Sequence, residues 1–456
     1  MRVTETSNGP SDKSQQPLAG PSAGAPLSVV LPLAFVAVFM AFACWTLLAV
    51  MGVHMKQMLA LSSTGFGLLL ATPVLAGGLL AVPLGFVIEA RGGRQVILGC
   101  LAGLSLVLVA LMLVQSYFGL LLVATGLGLS GGLFISGLHY VVSHSATHRM
   151  GAAMGCCGAG MIGGGFSYLL VPLIHEAFRW QVAPMAYLLM LVITMALIYL
   201  LTDPEDISDG EPGKAPGSDS ELWPRLLGSF CLSYSVLFGG FVALALWLPD
   251  YLASQHELSL KQGAGLAILF IVPGALAQVP GGWLADKLGP KRVIRWALLA
   301  CLGLLLGLSY PPMHLSITGY ERTYLVELNL PVPAVIAMLM LLGTAMGLGL
   351  GGLLRQLYDF FPQHVGIAGG FMLMAACLLS FALPLLFGLG NDIVGIRSIA
   401  FMLLFMVTGV ALIVSERASR AEERRVLLAQ CRVRKISSRS AQSRNLQLTK
   451  DDIGPL

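Results

Sequence analysis

The sequence predicts an all-α membrane protein in which twelve transmembrane helices form two pseudo-symmetric bundles of six. Three observations support this fold class. The 456 residues are 56% hydrophobic and only 11% charged, whereas a soluble domain carries roughly 25% charged residues. About twelve apolar stretches approach the ~20 residues that are needed to span a bilayer. A helix–loop–helix segment also occurs twice, which indicates two related halves.

Each apolar stretch is predicted to be one membrane-spanning helix, because polar or charged residues separate it from the next. The twelve stretches cover residues 28–52, 62–88, 95–114, 117–142, 150–174, 181–202, 225–253, 262–285, 293–311, 332–356, 366–390 and 396–415.

An acidic segment rich in Gly, Ser and Pro separates the sixth stretch from the seventh. Its sequence, TDPEDISDGEPGKAPGSDSEL, is typical of a flexible linker. We therefore expect five regions: a disordered cytoplasmic tail (1–27), a first six-helix bundle (28–202), a cytoplasmic linker (203–224), a second six-helix bundle (225–415) and a basic cytoplasmic tail (416–456).

The repeated segment reads GGLLAVPLGFVIEARGGRQVI from Gly77 and GALAQVPGGWLADKLGPKRVI from Gly274. In both copies an apolar helix reaches a glycine, an acidic residue follows four positions later, and then come another glycine and basic residues. Such a carboxylate can pair with arginine or accept the N–H groups of a helix N-terminus. Contacts of this kind can hold one conformation and break in another. The repeat therefore predicts gating residues: Gly85, Glu89, Arg91, Gly92 and Arg94 in the first copy, and Gly282, Asp286, Lys287, Gly289 and Lys291 in the second.

The placement of basic residues predicts the orientation in the membrane. Lys and Arg concentrate in the two repeated loops, at Arg149 and in the C-terminal tail, and are scattered on the other side. By the positive-inside rule, both termini are cytoplasmic, and the short loops favour a bacterial inner membrane. The tail from Glu416 to Lys435 is either an ordinary solvated segment or a basic helix that binds anionic lipid or a protein partner.

The repeated loop, with its G-x-x-x-D/E-(x)-x-G-x-K/R pattern, resembles the loop after the second helix in the major facilitator superfamily. Four further segments resemble the nitrate/nitrite porter family within it: VLAGGLLAVPLG (74–85), GGLFISGLHYVVSHSATHRMGAAMG (131–155), GAGMIGGGFSYLLVP (158–172) and SYSVLFGGFVALALWLPDYL (233–252). The resemblance implies the major facilitator fold and transport by alternating access. It also implies that the glycines of the fifth helix pack closely against neighbouring helices: Gly158, Gly160, Gly163, Gly164 and Gly165.

The chain departs from that family at the positions that matter for an anion. The family places one arginine in its second helix and one in its eighth, both directed at the bound anion; the matching residues here are Ala81 and Gln278. The family asparagine of the fifth helix is Met161, whereas the family tyrosine of the seventh is kept as Tyr234. A buried anion without compensating charge is costly. Either neutral donors and helix ends hold the anion, or the substrate is different.

Six residues are candidates for contact with a substrate. Ala81 and Gln278 take the positions of the family arginines, and a buried amide such as Gln278 requires partners. His139 either binds a solute or proton or packs between helices, and Tyr168 and Tyr234 are either ligands or packing aromatics. Trp45 either lines a cavity, faces lipid or packs in the core.

Two further features limit the mechanism. Arg355 either meets an anion from the cytoplasmic side or extends to the membrane interface. No predicted helix carries Asp or Glu at its centre, and buried carboxylates are common relays in proton-driven carriers. Exchange or passive uniport is therefore favoured over carboxylate-based proton symport.

The chain is not expected to be an enzyme, and no nucleic-acid partner, cofactor or metal is expected. The eight cysteines show no CxxC or Cys/His spacing, which argues against a disulfide framework or a metal site. The predicted function is secondary active or facilitative transport of a small polar solute, with a nitrate- or nitrite-like oxyanion favoured by the resemblance. Two alternatives stay open: a different small organic solute, or a non-transporting membrane protein that acts in assembly or sensing.

Overall fold

The computed structural model describes residues 26–58, 63–114, 116–178, 181–203, 222–255, 258–310, 313–318, 323–328, 330–394, 398–421 and 424. These residues form twelve helical segments and one β-hairpin. Most of the predicted N-terminal tail, most of the predicted linker and the C-terminal tail beyond residue 424 lie outside the described residues.

Six helical segments precede the linker and are called the N-half. They are α1 (Leu27–Met58), α2 (Ser63–Arg91), α3 (Gly93–Leu113), α4 (Tyr117–Leu127 and Leu129–His144), α5 (Met150–Gly158, a 3₁₀ turn at Ala159–Met161, and Ile162–Ala177) and α6 (Val182–Leu201).

Six segments follow the linker and are called the C-half. They are α7 (Leu222–Tyr234, a π-helical turn at Ser235–Gly239, and Gly240–Gln255), α8 (Leu260–Leu288), α9 (Pro290–Leu308), α10 (Val332–Phe360), α11 (Val365–Val394) and α12 (Ile399–Ala421).

The helical fold class expected from the sequence is confirmed. Among the described residues, eleven helices are long and apolar enough to cross a membrane. The remaining segment, α9, coincides with the predicted ninth span but carries Lys291, Arg292 and Arg295 in its first two turns. Its charge, rather than its length, separates it from the other eleven.

A β-hairpin connects α9 to α10, where no strand was predicted. Strand β1 (Met313–Thr318) pairs antiparallel with β2 (Thr323–Leu328), and the register places Met313 opposite Leu328 and Thr318 opposite Thr323. Apolar and polar residues alternate along β1, a pattern that favours a strand over a helix.

Glycines set how closely the helices approach. A methyl group at Gly163 would overlap the carbonyl of Phe39, and one at Gly160 would lie 2.8 Å from the carbonyl of Phe35, so α5 rests on the backbone of α1. A methyl group at Gly164 would instead lie in ordinary contact, 3.4 Å from the Thr46 side chain. Small residues permit such backbone contact inside a membrane, where the hydrophobic effect does not drive helices together.

The repeated segment folds in the same way in both halves. Gly92 joins α2 to α3 with φ of 83°, and Gly289 joins α8 to α9 with φ of 87°. Positive φ at these links explains the glycine in each copy, because a side chain would be strained there. The tight links bring Glu89 and Asp286 to equivalent positions, within the last turn of α2 and α8.

Candidate functional site

Asp286 of the C-half caps a helix of the N-half. Its two carboxylate oxygens accept the backbone N–H groups of Gly151 and Ala152, each at 2.9 Å. These N–H groups lie in the first turn of α5, where helix geometry provides no acceptor for them. The negative charge also meets the positive end of the helix dipole. The contact therefore joins the two halves by charge-assisted hydrogen bonds.

Arg355 of α10 strengthens this contact. Its guanidinium Nη1 donates to Asp286 Oδ1 at 2.9 Å and to the Thr147 carbonyl, in the N-half, at 2.8 Å. Its Nε lies 3.0 Å from Asp359. The Arg355 and Asp286 side chains are only 16% and 9% exposed, so water screens the pair less than it screens a surface ion pair. Bonding between the halves was not among the roles predicted for Arg355.

Glu89 makes the equivalent contact from the N-half. Its carboxylate accepts the backbone N–H of Gly366, in the first turn of α11, at 2.8 Å. A methyl group at Gly85 would lie 2.5 Å from the Gly366 carbonyl, so the two backbones touch at this point. We call the contacts of Glu89 with α11, and of Asp286 and Arg355 with the N-half, the carboxylate junction.

The other predicted gating residues divide into two groups. Gly282 lies at the junction, where a methyl group would overlap the Gly151 carbonyl. Arg94 instead contacts its own half, donating from Nε to Thr202 Oγ1 at 2.9 Å and from Nη2 to the Tyr199 carbonyl at 3.1 Å. Lys287 also stays in its own half and lies 3.8 Å above the Trp283 ring.

Two basic residues remain in the predicted set. Arg91 is exposed and Lys291 is half-buried. The structure therefore places the two carboxylates and the glycines beside them between the halves, and the basic residues around them.

A cavity of about 30 Å³ lies between the halves, deeper in the molecule. Met161, which lines it, is ten residues along α5 from Gly151, so the cavity is about 15 Å from the junction. Helices α1, α2, α5, α7 and α8 supply its lining: Phe42, Trp45, Thr46, Val74, Met161, Gly164, Phe241, Val242, Ala245, Leu246 and Ile271. None of these residues is charged, and the volume is about that of one water molecule.

Trp45 lines the cavity and carries a buried polar group. Its side chain is 3% exposed, and its indole Nε1 has no hydrogen-bond partner among the described residues. The neighbouring Thr46 hydroxyl donates to the Phe42 carbonyl at 2.9 Å. An indole N–H is a donor only, so the position beside Trp45 suits a hydrogen-bond acceptor. No pattern in the sequence marked Thr46, because only the packing of α1 brings it to the cavity.

Trp45 alone among the six substrate candidates lines the cavity. Gln278 is 1% exposed at the contact between α8 and α5, where Nε2 donates to the Gly158 carbonyl at 3.1 Å and to Met161 Sδ at 2.9 Å. Ala81 is fully buried where α2 packs on α11, and a methyl group at Gly370 would lie 2.6 Å from its carbonyl. In this conformation both positions close the space between the halves instead of facing the cavity.

The other three candidates contact neighbouring helices. The Tyr168 hydroxyl donates to the Ala245 carbonyl at 3.1 Å and so links α5 to α7. Tyr234 is buried and stacks on Phe238 with ring centroids 5.1 Å apart. His139 lies near the end of α4, and a methyl group at Gly93 would lie 3.2 Å from its Nδ1. These positions match the packing alternative that the sequence left open for each residue.

Comparison with known proteins places this architecture in a family. A model of the Major Facilitator Superfamily matches residues 33–320, more than half of the chain. The chain belongs to the Major Facilitator Superfamily. It is a multi-pass integral membrane transporter and not an enzyme.

Two bacterial relatives resemble the chain over most of its length. The chain is 27% identical to the "Probable nitrate/nitrite antiporter NarK1" of Thermus thermophilus over 398 residues, which cover 84% of this chain and 89% of the relative. It is also 27% identical to the "Nitrite extrusion protein" of Bacillus subtilis (strain 168) over 370 residues, which cover 80% and 87% of the two chains. The expected resemblance to nitrate/nitrite porters is confirmed.

Solved structures share the fold at lower identity. The human organic anion transporter MFSD10 (TETRAN) aligns with a TM-score of 0.67 at 16% identity, covering 86% of this chain and 99% of that chain. The transporter FucP in its outward conformation aligns with a TM-score of 0.64 at 13% identity, with the same coverage.

Proposed function

We propose that this chain moves a small monovalent anion of the nitrate/nitrite type by alternating access, with neutral donors in place of the family arginines. The substrate class rests on the names of the relatives, which are nitrate/nitrite antiporters and transporters and a nitrite extrusion protein. We favour exchange or passive uniport over carboxylate-based proton symport. The residues that line the cavity include no Asp or Glu, and a carboxylate proton relay would need one there.

The unpaired indole N–H of Trp45 is the observation that supports an anion. A buried donor without a partner is costly, and an acceptor at the cavity would remove that cost. An anion accepts such a hydrogen bond, whereas a metal cation or an ammonium group does not. We therefore assign Trp45 Nε1 as a substrate contact, with Thr46 beside it.

The carboxylate junction supports alternating access. It closes one side of the molecule with contacts that belong to helix ends, and such contacts can break when the halves rock as units. Opening would separate α5 from α8, and would release the amide of Gln278 from Gly158 and Met161. In this proposal, Gln278 meets the anion only when the junction is open.

Counterflow in proteoliposomes tests the Trp45 contact. Vesicles loaded with unlabelled nitrite would take up ¹⁵N-labelled nitrate through the wild-type protein. Trp45→Phe keeps the aromatic ring but removes the N–H, which costs about 1.5–3 kcal/mol when the acceptor is charged. We expect the half-saturating nitrate concentration to rise by roughly ten-fold or more.

Trp247→Phe is the matched control. Trp247 also has an indole Nε1 without a hydrogen-bond partner in the described part of the chain, but it packs against Phe387 and does not line the cavity. We expect its half-saturating concentration to stay at the wild-type value. Equal effects of the two substitutions would contradict a substrate contact at Trp45.

A small uncharged acceptor is the second candidate substrate. It is favoured by the cavity lining, which carries no charge to compensate an anion. The same vesicles distinguish the two candidates, because an uncharged solute would exchange while nitrate and nitrite would not. Absence of counterflow for either class, with correctly folded protein, would contradict transport of both.

The termini and the tail complete the proposal. We place both termini in the cytoplasm of a bacterium and the chain in its inner membrane. The basic loops, which the positive-inside rule assigns to the cytoplasm, lie beside the carboxylate junction. In this proposal the two bundles span 28–202 and 225–415. Helix α12 extends through the start of the basic tail, where Glu416 pairs with Arg295 of α9. Anionic lipid or a protein partner would meet the tail beyond this ion pair. A C-terminal reporter enzyme that is active only outside the cytoplasm tests the orientation and should stay inactive.

A further inference from the structure

The tight link at Gly289 separates two similar pairs of side chains, which we call the Trp–cation pairs. Trp283 precedes Lys287 by four residues at the end of α8, and Arg292 precedes Trp296 by four residues at the start of α9. Residues four apart lie on the same face of a helix. Four residues rise about 6 Å along a helix, so each cation lies about one turn nearer the link than its tryptophan.

Both tryptophans end an exposed apolar stripe. On α8, the exposed residues Leu269, Leu276 and Trp283 recur every seven positions, and the Trp283 ring is 47% exposed. On α9, Trp296 is 69% exposed and the exposed Leu306 lies further along the same helix. Exposed apolar residues on membrane helices face lipid, and tryptophan is enriched where a bilayer meets water. The two tryptophans therefore mark the membrane boundary on the side of the carboxylate junction.

The cations of the two pairs are accessible from the lipid side. Lys287 and Arg292 are both exposed. The Lys287 ammonium lies 3.8 Å above the Trp283 ring, a cation–π contact that attracts the charge without accepting through a lone pair. Both side chains therefore present N–H donors at the level of the lipid headgroups.

The acidic residues of the neighbouring helices have other partners. Helix α8 carries one, Asp286, helix α12 carries one, Glu416, and α9 carries none. Asp286 binds the start of α5 and Arg355, and Glu416 pairs with Arg295. The Trp–cation pairs therefore keep a net positive charge.

The N-half lacks these pairs, although it contains the same link. The residues 197 positions earlier in the repeat are Phe86, Ala90, Gln95 and Gly99, which are all exposed. None of them is charged and none carries an indole, although Arg91 is exposed beside the link. The repeated link does not by itself require the Trp–cation pairs, so they are a property of the C-half surface.

We propose that the Trp–cation pairs bind the phosphate of an anionic phospholipid in the leaflet on the side of the carboxylate junction. Ammonium and guanidinium groups donate charge-assisted hydrogen bonds to phosphate oxygens. Tryptophan rings lie at headgroup level, and the apolar stripes beyond them contact the acyl chains. The positive charge favours phosphatidylglycerol over a zwitterionic lipid. This site lies on α8 and α9, separate from the basic tail, and the proposal is independent of the transported solute.

Native mass spectrometry tests the site, because it resolves single lipids bound to the intact full-length protein. The protein in detergent would be titrated with phosphatidylglycerol and, separately, with phosphatidylcholine of the same acyl chains. The combined variant Lys287→Gln and Arg292→Gln removes both cations. One cation at an anionic membrane surface changes the affinity about five-fold. We therefore expect the dissociation constant of the first phosphatidylglycerol to rise roughly 25-fold, with that of phosphatidylcholine unchanged.

Two further variants make the test specific. Arg91→Gln combined with Arg149→Gln removes the same charge from exposed positions of the N-half on the same side, and it should leave the first phosphatidylglycerol bound as in wild type. Trp283→Leu combined with Trp296→Leu keeps the charge and should still weaken binding several-fold. If the double cation variant folds poorly, Arg292→Gln alone should raise the dissociation constant about five-fold.

Three outcomes would overturn the proposal. Equal losses in the N-half variant and in the double cation variant would show attraction by total charge instead of a site. Unchanged affinity in the cation or the tryptophan variant would show that the lipid does not meet these side chains. Displacement of phosphatidylglycerol by an equal concentration of inorganic phosphate would assign the positive charge to a soluble anion.

Discussion

Replacing Asp286 by asparagine is expected to open the carboxylate junction. The carboxylate now accepts two backbone N–H groups from α5 and pairs with Arg355. Asparagine retains one oxygen acceptor but loses the negative charge that attracts both the helix end and the guanidinium. The closed conformation should therefore lose stability relative to the open one.

The structure gives the size of this loss. Removing one partner of a buried ion pair costs about 3–5 kcal/mol. The lower end applies here because Arg355 keeps Asp359 and the Thr147 carbonyl as acceptors. A cost of about 3 kcal/mol would raise the open fraction roughly 100-fold. Glu89→Gln loses charge at one hydrogen bond only, so we expect about 1 kcal/mol and roughly a five-fold change.

Hydrogen exchange measured by mass spectrometry is a direct assay of this equilibrium. The N–H groups of Gly151, Ala152 and Gly366 lie in first helical turns, where the helix itself supplies no acceptor. Their exchange therefore reports opening of the junction. In Asp286→Asn, we expect the amides of Gly151 and Ala152 to exchange roughly 100-fold faster, in line with the estimated change in the open fraction.

The exchange rate of the Gly366 amide tests whether the halves move as rigid units. Asp286 does not touch it, so its exchange rises in Asp286→Asn only if opening separates α2 from α11 at the same time. We expect that coupled rise. Faster exchange at Gly151 and Ala152 with no change at Gly366 would refute the reasoning and reduce Asp286 to a local helix cap. Glu416→Gln, which breaks an exposed ion pair within the C-half, should change neither peptide.

Two predictions concern the packing of the N-half and use thermal unfolding in detergent. Gly163→Ala should lower stability by about 2 kcal/mol through overpacking against the α1 backbone, whereas Gly164→Ala should be close to neutral because its methyl group has room; equal effects would contradict the close α1–α5 contact. Tyr187→Phe should cost about 1 kcal/mol, since its buried hydroxyl bonds Ser167 at 2.6 Å. Tyr199→Phe, at a 66% exposed ring, should cost less, and the reverse order would contradict this assignment.

The repeat predicted the positions of the carboxylates but not all of their partners. Glu89 and Asp286 end equivalent helices, and each meets the first turn of a helix in the opposite half. The sequence indicated that each carboxylate could accept N–H groups from a helix N-terminus, yet it did not indicate which helix. Gly151 and Gly366 are distant in sequence from the acids that cap them, so only the packing of the halves identifies them.

The substrate candidates are residues at the family positions and polar or aromatic residues in apolar stretches. Trp45 lines the cavity, whereas Gln278 and Ala81 lie where the halves meet. One sequence must be compatible with every conformation of the transport cycle. A position that faces a cavity in one conformation can therefore be a contact between helices in another.

The sequence by itself determined that the chain lies in a membrane, where its helices are and how its two halves are related. The reason is that apolar length, glycine links and an internal repeat can all be read from the order of the residues. The tertiary structure decided which groups meet. It assigned Arg355 to Asp286, left the buried N–H of Trp45 without a partner among the described residues, and paired the strands between α9 and α10. These contacts depend on how elements distant in sequence pack together, and the periodicity of a single segment does not predict that packing.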